Sequence, residues 1–136
     1  MYASGTDHRL KHPSIEVLLL IQRTPTAFVT SAEVFQEIIH RYMAVRRWPE
    51  GRALFEEFSF LMSGRIEPIY FSDTLRASAL ADRQSNASAR DLLHASVMQR
   101  LGVRRIVSAD PDFDSLPDVE RLDPMKVEEW RDTVTA

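Results

Sequence analysis

Short apolar strands alternate with amphipathic helices along this chain, and that alternation leaves few folds open to it. Residues 13–23 read as a helix, with Ile15, Leu18, Leu19 and Gln22 at helical spacing. Pro13 falls in its first turn, where a missing N–H costs nothing. Ala27-Phe-Val-Thr30 reads as a short buried strand, and Thr30 with Glu33 as a capping box that opens the next helix. There Val34, Phe35, Ile38, Ile39, Tyr42 and Val45 make one apolar stripe. Pro49 starts a third helix with Leu54, Phe55, Phe58, Leu61 and Met62 inward, and Gly64 ends it. Pro68-Ile-Tyr-Phe71 reads as a second strand, with Ser72 capping a helix that runs to Arg83. After a polar loop at 84–88, Ala89, Leu93, Val97 and Leu101 line a helix closed by Gly102. Residues 105–108 and 119–122 read as two more strands, the latter at an edge, and 124–133 as a last helix. This order predicts the α/β class, as a three-layer α/β/α sandwich on a mostly parallel sheet.

Size and composition set the other bounds. At 136 residues the chain is expected to be a single domain over 1–136, long enough to bury one core. Its 44% hydrophobic and 27% charged residues are those of a globular protein. Without cysteine it has no disulfide framework and no thiolate metal or redox site, which fits the cytoplasm. The longest apolar run, Val17 to Ile21, is too short to span a bilayer. Asp7, His8, Arg9 and Lys11 stand where a secretory signal would be apolar. A net charge of −3 argues against a protein coated for duplex binding, though not against acids gathered around a metal. Lys11 and Lys126 are the only lysines, so the basic side chains are mostly arginines, suited to bidentate phosphate contacts.

Three acidic positions sit where a strand meets a helix. Glu37 is on the helix after the first strand, Asp91 is early in the helix after the polar loop, and Asp110 comes after the strand 105–108. In a parallel α/β sheet such positions meet at one edge. Magnesium takes oxygen ligands and keeps several of its waters, so a few converging carboxylates can hold it without Cys or His. Each acid also has a plainer reading. Glu37 could pair with Arg41 one turn on, and Asp91 could be the reciprocal partner in a Ser88-x-x-Asp91 capping box. His94, one turn after Asp91, reads as a packing or supporting group, since the histidines lack metal-ligand spacing.

The run Asp110-Pro-Asp112-Phe-Asp114 admits several chemistries, and most are excluded. An EF-hand loop needs Gly and Glu where this chain has Ser115 and Arg121. A phosphate-accepting aspartate of the dehalogenase type would lie after the first strand, and a receiver-type site would need a lysine better placed than Lys126. There is no G-x-S-x-G and no glycine-rich phosphate loop among only four glycines. At least one of the three aspartates is expected simply to cap the next turn, with Phe113 plugging the core beneath.

Taken in order, Thr30-Ser31-x5-Glu37, Ala89-Arg-Asp91-x-Leu-His94-Ala and Ile106-Val-Ser108-Ala-Asp110-x-Asp112-Phe113 resemble the PIN-domain ribonucleases, particularly the VapC-type toxins of bacterial toxin–antitoxin pairs. The likeness runs from Met1 to about Pro124. It implies that Glu37, Asp91 and Asp110 bind metal, that Asp112 is an auxiliary acid, and that the Ser108 hydroxyl helps place the metal or its water. It further implies Mg²⁺ (or Mn²⁺) as cofactor, single-stranded RNA as substrate, a cognate antitoxin as partner and the cytoplasm as location. It implies no membrane association, and it admits a homodimer. Arg46, Arg47, Arg83 and Arg90 are expected either to meet the RNA backbone or to serve as solvated surface. In the family an apolar first strand ends in a further Asp. Met1-Tyr-Ala matches the residues just after that strand, so the N-terminal central strand and its acid are expected to be absent here. The alternative is therefore a catalytically inactive or truncated PIN-like module that binds a partner protein or RNA without cutting it.

Overall fold

The computed structural model describes residues 11–84 and 86–135, so Met1-Tyr-Ala and the expected absence of a first strand lie outside the described residues. The chain divides into two compact units, one drawn from Met1–Glu67 and Pro124–Ala136 and the other from Pro68–Asp123.

In the first unit α1 (Lys11–Arg23) buries Val17 and Ile21. It ends where the Thr24 hydroxyl donates to the Leu20 carbonyl at 2.8 Å. A 3-10 turn at Pro25–Ala27 comes next, and β1 is only Thr30–Ser31. The strand expected over Ala27–Thr30 therefore starts later, because Pro25 first turns the chain. β1 pairs in parallel with β2 (Ile66–Glu67), with Thr30 opposite Ile66. Arg65 secures this corner by donating to the carbonyls of Pro25, Phe28 and Leu61. Helix α2 (Ala32–Ala44) has Ser31 as its N-cap, one residue beyond the Thr30 expected from sequence, and the Ser31 side chain makes no capping bond.

Helix α3 (Trp48–Leu61) packs on α2 around Ile38, Tyr42 and Leu54, with Trp48, Phe55 and Phe58 against them. Phe35 meets Phe55 edge-on, ring centroids 5.0 Å apart. The stripe read on α2 is buried at Phe35, Ile38 and Tyr42, while Ile39 and Val45 are exposed. Gly51 lets the two helices approach closely. A Cβ there would stand 2.5 Å from the Tyr42 Cβ. Gly51→Ala should thus lower stability by about 1–3 kcal/mol through overpacking. A thermal melt of the variant that matches wild type would show that α2 and α3 can separate at no cost. The unit is completed by α6 (Val127–Thr135), which lies against α1 and buries Val127 and Trp130.

In the second unit α4 (Phe71–Ala81) packs on α5 (Ala89–Leu101), and β3 (Arg105–Val107) pairs in parallel with β4 (Glu120–Leu122). Its core holds Leu92, Ala95, Phe113 and Leu116, so Phe113 is the plug expected. Pro68-Ile-Tyr-Phe71 is not a strand. Tyr70 and Phe71 are 52% and 76% exposed, and the chain turns straight into α4. Its N-terminus is held by Asp73 rather than Ser72, the carboxylate accepting the Tyr70 N–H at 2.9 Å. Asp73 is 0% exposed and also accepts from Arg100 Nε at 2.9 Å and Arg76 Nη1 at 3.3 Å. Ser96, equally buried on α5, donates to the Asp73 carbonyl at 2.6 Å. The parallel pairing in both units agrees with the α/β class expected, although among the described residues each pair has only two short strands. No described helix is long and apolar enough to cross a membrane.

Candidate metal centre

The second unit brings three of the expected acids together. Ser88 caps α5 by accepting the Asp91 N–H at 3.1 Å, which fixes the first turn and sets the Asp91 carboxylate at the helix start. Of the α5 face read as Ala89, Leu93, Val97 and Leu101, only Val97 is buried, Leu93 and Leu101 are half-buried and Ala89 is exposed; the helix buries Asp91, Leu92, Ala95, Ser96 and Met98 besides. At the far end of the unit's chain path, β3 runs out at Val107 into a loop and a 3-10 turn, Pro111–Ser115. The Ser108 hydroxyl accepts the Asp110 N–H at 3.1 Å, and Asp110 Oδ1 accepts the Asp112 N–H at 2.9 Å. Phe113, seated in the core, pins the turn from below.

As a result one carboxylate oxygen each from Asp91, Asp110 and Asp112 lies within 4.8 Å of the others. Oxygens bound to one octahedral Mg²⁺ at ~2.1 Å stand ~3–4 Å apart, so a small contraction would bring all three onto a single ion. The donor set is all oxygen and partly solvated, which suits a hard cation that keeps waters. The electrostatics agree. Burial pushes the Asp91 carboxyl above its usual range, and the charges of Asp110 and Asp112 add to this against the Ser88 hydroxyl bond and His94. A site that penalises its own negative charge gains most from a bound cation.

Asp112, read as auxiliary, lies within the carboxylate group itself. His94 packs its ring 6.2 Å from that of Phe113. Glu37 belongs to the first unit, half-buried on α2. Among the arginines expected at RNA, Arg47 pairs with Glu50, Arg46 and Arg83 are exposed, and Arg90 is half-buried. Asp110 is the aspartate of the run that caps the next turn, its side chain accepting the Asp112 N–H, while Arg121 binds both oxygens of Asp114, at 3.0 and 3.1 Å, and holds its carboxyl below the usual range. Arg121 was not foreseen. Its signal, an arginine on the strand paired beside the acidic loop, exists only once the pairing of β3 with β4 is known.

The sequence pattern of the PIN domain matches residues 8–119. This chain belongs to the PIN-domain family. It is 34% identical over 122 residues to Ribonuclease VapC13 of Mycobacterium tuberculosis, covering 90% of this chain and 92% of that one. Ribonuclease VapC23 of the same species is 36% identical over 111 residues, 81% of this chain and 86% of the relative. Ribonuclease VapC7, also from that species, is 31% identical over 124 residues, 91% and 86% of the two chains. No solved structure gives a significant match. The three stretches that carried the resemblance all fall inside the matched region, and the PIN domain's α/β class is the one expected from the order of its elements.

Proposed function

We propose that this PIN domain is a metal-dependent endoribonuclease of the toxin type that cuts single-stranded RNA. The observation that carries the reading is the meeting of Asp91, Asp110 and Asp112 within 4.8 Å. Kinship with the VapC ribonucleases supports the reaction class. The same kinship supports an antitoxin partner and a cytoplasmic site of action, and it admits a homodimer. The match over 8–119 includes residues of both units, which supports reading 1–136 as one domain.

Asp91, Asp110 and Asp112 would hold the ion, and Glu37 is put forward as a metal-binding acid by the family resemblance alone. A bound Mg²⁺ or Mn²⁺ supplies the charge that makes a water nucleophilic and stabilises the phosphate during cleavage. The protein's own part is geometry. Ser88 fixes the helix start that carries Asp91, Ser108 holds the main chain of Asp110, and Phe113 anchors the turn that carries Asp112. Asp112 is exposed, so substrate would approach a bound ion from the solvent side. Incubating the purified chain with unstructured RNA should give cleavage in Mg²⁺ or Mn²⁺ and none after chelation. RNA that is bound but left intact in either metal would sink the nuclease reading in favour of a non-cutting module.

A further inference from the structure

Arg121 stands on β4, opposite Ile106 of β3, and its side chain is only 15% exposed. From there its guanidinium reaches two points of the acidic loop. Nε and Nη2 donate to the two carboxylate oxygens of Asp114. Nη1 donates to the Ser108 carbonyl at 3.2 Å and lies 3.6 Å from the Asp123 carboxylate. Ser108 precedes Asp110 and Asp114 comes after Asp112, so one planar group grips the loop on both sides of the two acids.

The grip adds to two other holds on this loop, Phe113 in the core and the Ser108 N–H donating to the Leu122 carbonyl at 3.2 Å. The loop's own side-chain bonds are short-range, from Asp110 to Ser108, from Asp112 to Asp110 and from Ser115 to Asp112. Three carboxylates gathered this closely repel one another, and two of them ride on this loop. We propose that Arg121 is the positioning residue of the metal centre: its hold on Ser108 and Asp114 keeps Asp110 and Asp112 beside Asp91 against their mutual repulsion. The inference rests on the metal-dependent reading above. Arginine suits the task because its rigid fork binds a carboxylate through two donors while a third points elsewhere, which a lysine cannot reproduce.

Position and charge act here with opposite signs. As a bare positive charge near a cation site, Arg121 opposes metal binding, so losing it should tighten binding. As the group that holds the loop, losing it should loosen binding. The test is Mn²⁺ affinity, monitored by electron paramagnetic resonance on the full chain without RNA. Arg121→Lys, which keeps the charge, should raise the Mn²⁺ Kd roughly tenfold or more. Arg121→Gln should move it the same way despite the lost positive charge. Asp114→Asn should weaken binding as well, and more than Asp118→Asn, a nearby exposed charge that serves as control. The double variant Arg121→Lys/Asp114→Asn should be no worse than Arg121→Lys alone, because both changes break one contact. In cleavage, kcat should fall while KM for RNA stays near its wild-type value.

Unchanged Mn²⁺ affinity in Arg121→Lys, tighter binding in Arg121→Gln, or strictly additive effects in the double variant would each overturn the inference while leaving the nuclease reading intact. Should the Arg121 variants not fold, Asp114→Asn against Asp118→Asn decides alone, and equal effects would refute the clamp. A wild-type chain that binds no Mn²⁺ would overturn the metal reading and this inference with it.

Discussion

Changing Asp91 to Asn is expected to abolish metal-dependent cleavage and leave the domain folded. The loss should be at least ~100-fold, or about 3 kcal/mol of transition-state stabilisation. The fold survives because the bond that fixes the helix start runs from the Asp91 main-chain N–H to the Ser88 hydroxyl, and Asn keeps it. Stability without metal should not fall. Burial first, and then Asp110 and Asp112, raise the carboxyl's folded pKa above its unfolded value. Its ionised form therefore weighs against the fold at neutral pH, and relief comes only as pH drops through the raised folded pKa. Asn resembles the protonated acid at every pH, so the metal-free variant should melt no lower than wild type. Wild type should gain melting temperature with Mg²⁺ through linkage, and the variant should gain little. Normal cleavage and an unaltered Mg²⁺ response in Asp91→Asn would reduce Asp91 to a residue of the helix cap.

Asp73→Ala should be the most destabilising single change in the second unit. It would remove the carboxylate that meets both Arg76 and Arg100 and leave their charges half-buried without it. Breaking a buried pair in this way costs about 3–5 kcal/mol, a large part of a total stability of about 5–15 kcal/mol. Urea unfolding should show the midpoint falling steeply, and a loss under about 1 kcal/mol, the scale of an exposed pair, would mean that solvent replaces the carboxylate easily. There is also a signature in acid. Burial alone would raise the Asp73 carboxyl, but the Arg100 and Tyr70 hydrogen bonds and the charges of Arg100 and Arg76 outweigh it and lower the folded pKa. The stabilisation is then complete above the unfolded value of ~3.9 and is lost as pH falls through the folded one. Asp73→Asn should lack that acid-dependent step.

The sequence disclosed most where local chemistry is self-contained. Gly102 ends α5 where expected, Ser88 caps it, and Phe113 is buried as its lone apolar place in an acidic run suggests. Asp91 and Asp110 were singled out, together with Glu37, because strand ends and helix starts share an edge in parallel structures, while Asp112 was named only through the family resemblance. The strands were placed less well. A pair of two residues such as Thr30–Ser31 or Ile66–Glu67 has no period to read, so the apolar runs beside them attracted the assignment. Asp73 was passed over in favour of Ser72. Its local partners, the Tyr70 N–H and Arg76, have the i,i+3 spacing common at any helix start, and the partner that buries it, Arg100, lies on another helix. Asp114 and Arg121 posed the same difficulty, since an ion pair across a loop leaves no spacing signal.

The left-handed turn at Gly102 has a bearing on how such a chain can change over generations. With φ at 69° there, and the Val103 N–H bonded back to Met98, α5 reverses at once into β3. The start of the helix and the end of the strand thereby come to one edge, and Asp91 meets Asp110. The length descended along the helix must equal the length regained along the strand. A single residue inserted within α5 would swing Asp91 by ~100° about the axis and carry it ~1.5 Å along, out of the group. Lineages of this domain are thus more free to vary the exposed letters between 91 and 110 than their number. Insertions and deletions should accumulate instead in the turn between α4 and α5, where added length moves none of the three acids.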